Sequence, residues 1–384
     1  MFVFIKRIIK AIFRRITCLI SCCLPINGKK IVVSSYYGRG YGDNPKYIVE
    51  KLLENKSRCQ IIWLVYNKTE AVSLPEKVIP CKRNSFSAIY HLCTSKVWLD
   101  NCRRTFMIKR KKQFYIQTWH GMALKRIERD VEGNLSKSYV KTAKKDSKAI
   151  DIIISESKYM TKIYQKSFWY NGDIVEWGSP RNDIIVNHHK VNYLKNKICD
   201  YYNQPLETKF VLYAPTFRKS EDLEPYSVDF ARLKQQCDKK FGGNFIVLLR
   251  LHPNIADKSD EMNVNDKFVL NASFYPDMQE LLAVSDVVIS DYSSLMFDFA
   301  LSGKPCFQFA TDIENYKLDR NFYLEMDKLP FDLATNNDEL EKNIDNFNHS
   351  KYQNKLSTFF DNLGAVRDGK SSEKCAELIE NLIN

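Results

Sequence analysis

The chain has 384 residues, 44% of them hydrophobic and 13% aromatic. That composition excludes an intrinsically disordered protein and accommodates one large or two ordinary domains. The formal net charge is +12, and seven of the basic residues (Lys6, Arg7, Lys10, Arg14, Arg15, Lys29 and Lys30) fall in the first thirty positions, which hold no acid. An excess placed at one end points to an anionic surface, such as a membrane, as partner. Nucleic acid is not expected, because no helix-turn-helix, zinc-finger or RNP-like pattern occurs.

The N-terminal stretch "FIKRIIKAIFRRITCLI" predicts an amphipathic helix. Ile5, Ile8, Ile9, Ile12, Phe13, Ile16, Leu19 and Ile20 fall on one stripe at 100° per residue, and Lys6, Arg7, Lys10, Arg14 and Arg15 cover most of the other side. Residues 1–27 therefore read as a membrane-associating segment that lies in the surface. It cannot span, because charges interrupt every long apolar run. Two alternatives stand beside this reading: a helix packed on the protein's own core, and a processed signal ending at "LISC". Only six residues separate Arg15 from Cys22, too few for a signal core.

From about residue 30 strand-like and helix-like segments alternate, as in parallel sheets covered on both faces. The expected strands of a first half (28–200) are "IVVSSYY", "CQIIWLVY", "KVWLDN", "FYIQTW", "DIIISES" and "DIVEWG". A second half (201–384) has "KFVLYAP", "FIVLLRLHP", "KFVLNAS", "DVVISDYSS" and "KPCFQFA", and the chain closes on a helical "SSEKCAELIENLIN". The expected fold is α/β: two Rossmann-like domains facing a cleft, joined near residue 200. The eleven cysteines are odd in number, scattered, and form no CxxC pair. Neither a disulfide framework nor a zinc site is expected, and a reducing cytosol fits.

In open parallel sheets ligands bind beyond the carboxyl ends of strands, which ranks the polar motifs by position. "QTWHGMALKR" places His120 just after a strand, as a structural histidine or a general base. "LRLHPN" does the same for Arg250 and His252. "YAPTFRKS" ends a strand with Thr216 and Arg218, and "GSPRND" presents Arg181. In "ISDYSSLMFDFALSG", Ser293 or Ser294 caps a helix whose first turn also suits an anion. Asp291 and Asp298 flank it as ligands of a metal or a hydroxyl, or as structural hydrogen-bond acceptors. Donors at so many strand ends suit an anion-rich ligand, best a nucleotide diphosphate. No P-loop and no GxGxxG occurs, which disfavours an ATPase or an ordinary NAD enzyme. "YYGRGYGDNP" is a glycine-containing loop suited to contact an acceptor.

These motifs, with "WHGMALKRIERD", "YPDMQELLAVSDVVISDYSSLMFDFALSGKP" and "FATDIENYKLDRNFY", occur over residues 115–325 in an order that resembles the CDP-glycerol glycerophosphotransferase family of teichoic acid synthesis. The resemblance implies a GT-B-like fold and a bacterial enzyme held peripherally on the cytoplasmic face of the cell membrane. It implies transfer of glycerol phosphate from CDP-glycerol to a hydroxyl of an undecaprenyl-diphosphate-linked saccharide, with release of CMP. Carried over by motif, His120 is the general base and His252 a second, phosphate-contacting catalytic histidine. Gly121, Met122, Ala123, Leu124, Arg181, Pro215, Thr216, Arg250, Leu251, Ser293, Ser294 and Asp298 would line the donor site, and Arg218 joins them from its strand-end position. The family usually has Thr-Pro where this chain has Met122-Ala123, which leaves CDP-ribitol open as donor. No cofactor is assigned; Mg²⁺ is the candidate, without an acidic pair diagnostic of it. A primase-like single transfer is preferred to polymerisation, with a capsule glycerol phosphate transferase close by. The rivals of other classes are a nucleotide-sugar glycosyltransferase of the same fold and a non-catalytic membrane adaptor.

Overall fold

The computed structural model describes residues 2–67, 69–105, 108–187, 190–218, 223–262, 267–314 and 322–384, with the backbone alone for residues 2–11 and 260. The chain divides into two compact units, Met1–His120 with Glu128–Asp183 and Asp368–Asn384, and Gly121–Ile127 with Ile184–Arg367. This corrects the expected division near residue 200. The boundary falls after Asp183, a short excursion leaves the first unit directly after His120, and the C-terminal helix Ser371–Ile383 returns to it. Cys375, Ala376 and Ile379 of that helix are buried in the first core with Ile31, Val49, Leu52 and Val97. Periodicity marks a segment as helical but not which sheet its apolar face covers.

The first unit opens with α1 (Phe2–Cys23). Then come β1 (Asn27–Ser34), α2 (Asp43–Glu54), β2 (Gln60–Val65), β3 (Val78–Lys82), α3 (Phe86–Thr94), β4 (Ser95–Asp100) and β5 (Phe114–Gln117). It continues with α4 (Lys137–Ala149), β6 (Ile152–Ser155), α5 (Lys158–Ser167) and β7 (Asp173–Glu176). All neighbours in the sheet are parallel, in the order β3-β2-β1-β4-β5-β6-β7. Runs such as "KIVVS" and "IIWLV" are buried on both faces, which a parallel sheet between helices requires. The strand β3 was not among those expected. Its Pro80 lacks a ladder donor, and β3 accordingly lies at the sheet edge. Helices α3, α4 and α5 each begin at a serine (Ser85, Ser136, Ser157) whose side chain accepts from a first-turn N–H.

In α1, Cys18 and Ser21 are buried, and Cys18 packs with Ile89 and Cys93 of α3. Ile12, Phe13, Ile16, Leu19 and Ile20 remain between 45% and 70% exposed. The helix thus packs one narrow edge on its own unit and leaves the rest of its described apolar stripe uncovered. The side chains of Lys6, Arg7, Ile9 and Lys10 lie outside the described residues. Among the described residues no helix is long and apolar enough to cross a membrane.

The second unit begins in the short α6 (Asp183–Val186), followed by α7 (Val191–Tyr202), β8 (Lys209–Tyr213), α8 (Phe230–Phe241), β9 (Phe245–Leu249) and β10 (Val269–Asn271). Next are α9 (Met278–Val284), β11 (Val287–Ser290), α10 (Leu295–Ala300), β12 (Cys306–Phe309) and β13 (Asp332–Ala334). Its sheet is also all parallel, in the order β10-β9-β8-β11-β12-β13. The unexpected β13 has three residues, too few for a pattern to register. A core of Val211, Tyr213, Phe245, Val247, Leu249, Ile289 and Phe307 fills the space under its helices.

Candidate active site

In both sheets the strand order reverses direction once, between β1 and β4 and between β8 and β11. Connections leave such neighbours toward opposite faces, so their carboxyl ends border an open crevice. The polar motifs gather at these two places, and each unit has its own cluster.

In the first unit His120 follows β5 and is half-buried. Its ring stacks on Trp119, with centroids 4.1 Å apart and planes 28° apart. Trp119 holds a φ of +50°, a left-handed conformation that is costly for a bulky residue and turns the chain here. The Nδ1 of His120 lies 2.7 Å from the carbonyl oxygen of Asn101. A carbonyl only accepts, so Nδ1 carries the proton and Nε2 presents a lone pair. Burial pushes the His120 pKa below its ordinary value of 6.5, against the opposing pull of the Asn101 carbonyl and Asp43. The imidazole is therefore neutral at pH 7.

Asp43 organises the surroundings. Its carboxylate accepts from Tyr36 Oη at 2.8 Å, from Asn101 Nδ2 at 2.9 Å and from the backbone N–H of Asn44 at 2.8 Å, and it is paired with Arg181 Nη1. Burial alone would raise this carboxyl, but Arg181, Asn101 and His120 hold it below its ordinary value. Arg181 Nη1 also donates to the backbone oxygen of His120 at 2.8 Å. The guanidinium assigned to phosphate binding thus grips the histidine's own main chain. Asn44 completes the frame: its Nδ2 donates to Trp119 O at 3.1 Å, and its Oδ1 accepts from Ser179 Oγ and the Arg181 N–H.

In the second unit Pro215 is buried and the Thr216 N–H donates to both Asp291 oxygens, at 2.9 and 3.1 Å. The Thr216 hydroxyl is buried without a hydrogen-bond partner among the described residues. Arg218 donates to Asp312 through Nε at 2.7 Å and Nη2 at 3.0 Å, and to Asp291 through Nη2 at 2.9 Å. Its guanidinium lies over the rings of Tyr292 and Tyr226. Burial would lower its pKa, but Asp312 and Asp291 raise it instead. Arg218 is therefore a clamp between two carboxylates, not the open cation that its strand-end position suggests.

Arg250 turns back to the carbonyls of Ala272 and Tyr275, at 2.9 and 2.6 Å, and Leu251 is buried. His252 is exposed, beside the Phe217 ring at 5.4 Å. Its Nδ1 accepts from the Asn254 N–H at 3.2 Å, so the neutral ring carries its proton on Nε2. Loss of solvent and Lys125 both push its pKa below 6.5. The helix after the serines is short: α10 starts at Leu295, and the cap residue Ser294 makes no side-chain capping bond. Ser293 and Ser294 are both half-buried. Asp298 is buried inside α10, where it accepts from Gln279 Nε2 at 3.3 Å, the structural alternative among its expected roles.

The model of the CDP-glycerol:poly(glycerophosphate) glycerophosphotransferase family matches residues 16–381. The chain belongs to this family. It is 33% identical over 368 residues to the teichoic acid poly(glycerol phosphate) polymerase of Staphylococcus epidermidis, covering 92% of this chain and 51% of that protein. It is 31% identical over 371 residues to the teichoic acid glycerol-phosphate transferase of Staphylococcus aureus, covering 92% and 93%. The chain spans about half the length of the S. epidermidis and Bacillus subtilis polymerases that it matches. A structure of the wall teichoic acid polymerase TagF soaked with CDPG superposes with a TM-score of 0.86 at 31% identity, covering 99% of this chain and 96% of that one.

Within this member of the family, the motif "HGMALK" divides between the units. His120 stays with the first, and Gly121, with φ +119°, begins the excursion into the second. Leu124 O accepts from the Tyr323 N–H at 2.9 Å, and Lys125 bridges to Phe322. Met122, Ala123 and Leu124 are all buried.

Sequence reading missed Asp43, Asn44, Asn101 and Asp312. The first two lie in the glycine-containing loop, whose "GDNP" marks a helix start but not its partners. The structure also gathers the sulfurs of Cys18, Cys22 and Cys93 within 4.8 Å, a donor set that spacing along the chain does not reveal. Burial raises the Cys18 and Cys93 thiols, which keeps them protonated at neutral pH as packing between α1 and α3. They would suit a soft ion only on losing those protons.

Proposed function

We propose that the protein transfers glycerol phosphate from CDP-glycerol to a hydroxyl of a membrane lipid-linked saccharide and releases CMP, in teichoic acid or related polymer synthesis. The observation that carries this reading is the state of His120, neutral and with its Nε2 lone pair available. Such a group takes the acceptor's hydroxyl proton as the oxygen attacks the β-phosphorus of the donor. Asp43, Arg181 and Asn101 are positioning residues that hold its ring and main chain.

The donor's phosphates fall to the second unit in this reading. His252 offers an Nε2–H to a phosphoryl oxygen, and Thr216, Ser293 and Ser294 offer hydroxyls at the β8/β11 reversal. The Asp291 and Asp312 carboxylates already share Arg218, so a Mg²⁺ ion would reach the reaction on the donor diphosphate rather than on these side chains. Glycerol is preferred to ribitol because relatives named for glycerol phosphate reach 30–33% identity and those named for ribitol phosphate 27%. The α1 segment serves as the peripheral anchor on an anionic, cytoplasmic membrane surface, because its described apolar residues are left uncovered.

The test is incubation of the purified chain with CDP-glycerol, CDP-ribitol or a UDP-sugar and a lipid-linked disaccharide, followed by product mass. The reading requires CMP release and a mass gain of one glycerol phosphate. Release of a nucleoside diphosphate would assign a sugar transferase instead, and a ladder of masses would replace single transfer by polymerisation.

A further inference from the structure

Beyond the carboxyl ends of β1, β2 and β4 lies a second polar feature of the first unit, a small cavity of about 50 Å³ that opens to solvent. Four arginines line it (Arg14, Arg83, Arg103 and Arg104) against a single carboxylate, Asp100. Arg103 is consumed by Glu128, Asp146 and Ser147. Arg104 is not. It is 5% exposed, its Nη2 lies 2.9 Å from Asp100, and its Nε has no hydrogen-bond partner among the described residues. A buried guanidinium N–H without an acceptor costs free energy that an anion would recover. Arg83 donates to the Tyr37 carbonyl at the cavity rim, and Arg14 enters from α1.

The position of Arg14 indicates what kind of anion fits. Its neighbours Ile12, Phe13 and Ile16 are exposed. The same helix therefore sends one cation into the cavity and offers an apolar surface beside it. A free phosphate would use only the first of these. A lipid with a phosphoryl head uses both. The loop that follows β4 also links the cavity to the histidine cluster: Asn101 holds His120, while Arg103 and Arg104 face the cavity.

We propose that this cavity is the docking site for the phosphoryl head of the lipid-linked acceptor, a polyprenyl diphosphate gripped by Arg14, Arg83 and Arg104. The identity of the lipid rests on the proposed function; the anion site rests on the arginines alone.

The experiment is co-flotation of the full chain with phosphatidylcholine vesicles carrying either polyprenyl diphosphate or phosphatidylglycerol at equal total charge, with inorganic pyrophosphate as competitor. The wild type is expected to bind the diphosphate vesicles about tenfold more tightly, the range of one charge-assisted contact. Arg83→Gln and Arg14→Gln should each remove most of that preference while leaving the melting temperature in place. Equal binding to both vesicles, or a preference that survives both Arg83→Gln and Arg14→Gln, overturns the site. Pyrophosphate binding without lipid preference overturns the lipid and leaves a soluble anion. CDP-glycerol affinity is measured separately: its absence in the wild type would defeat the donor reading while a diphosphate preference sustained the cavity.

Discussion

The Nδ1 of His120 lies 2.7 Å from the main-chain oxygen of Asn101, and that one hydrogen bond fixes which nitrogen can act as a base. In His252 the polarity is reversed, because its Nδ1 accepts a main-chain N–H from Asn254. One ring therefore presents a lone pair at Nε2 and the other a proton. In the proposed transfer to a hydroxyl, the first kind of group would take the acceptor's proton and the second would donate to a phosphoryl oxygen.

His120→Ala should lower kcat about a thousandfold, within the usual worth of a general base. CDP-glycerol affinity and the melting temperature should change little. The acid limb of the pH–rate profile should have its midpoint below 6.5, because burial holds the His120 pKa under that value. Stability follows the same sign. Below about pH 6.5 the unfolded chain takes up this proton more readily than the folded one, so stability falls as pH drops and is unaffected above. A limb centred above 6.5 would remove His120 from the role.

Asp43→Asn should destabilise the first unit by about 3–5 kcal/mol, because it leaves the buried Arg181 guanidinium without its counter-charge. Activity should fall with it, since Arg181 holds the His120 carbonyl. Replacing both residues by apolar ones of similar size should recover part of the stability and none of the activity. In the wild type the Asp43 carboxyl is held below 3.8. Its contribution is present above that value and lost as pH falls through the lower, folded pKa, which acid denaturation of the wild type against Asp43→Asn would read.

His252→Ala should cost about a hundredfold in kcat/KM for CDP-glycerol, the scale of one lost donor to a developing oxyanion. The side chain is exposed, so the variant's unfolding free energy should stay within about 0.5 kcal/mol of wild type. A large loss of stability in this variant would point to a structural histidine.

Arg218→Met should behave in the opposite way. It strands Asp291 and Asp312, so the second unit should lose about 3 kcal/mol in denaturant titration. Arg218→Lys should recover only part of this, because an ammonium cannot reproduce the fork that reaches both carboxylates. Full stability in Arg218→Met would return this side chain to ligand binding.

Ile16→Glu with Leu19→Glu should abolish binding to anionic vesicles without lowering the melting temperature. Both side chains are exposed, and burying each in a bilayer surface is worth about 1.5–3 kcal/mol. Retained flotation would dismiss α1 as the anchor.

The amino-acid sequence by itself determined the α/β class and the position of His120, His252, Thr216 and the serine pair at strand ends. Those properties are local: a β-branched run buried on both faces, a turn residue after it, and a polar side chain at the exit are all written within about ten residues. It did not determine which helix serves which sheet, since the apolar face of Ser371–Ile383 would satisfy either core. It also presented Arg181, Arg218 and Arg250 as open cations. Only tertiary structure brought Asp43 to Arg181, Asp312 to Arg218 and the Ala272 carbonyl to Arg250. A buried charge must find its partner wherever the fold places one, and here two of those partners lie 138 and 94 residues away.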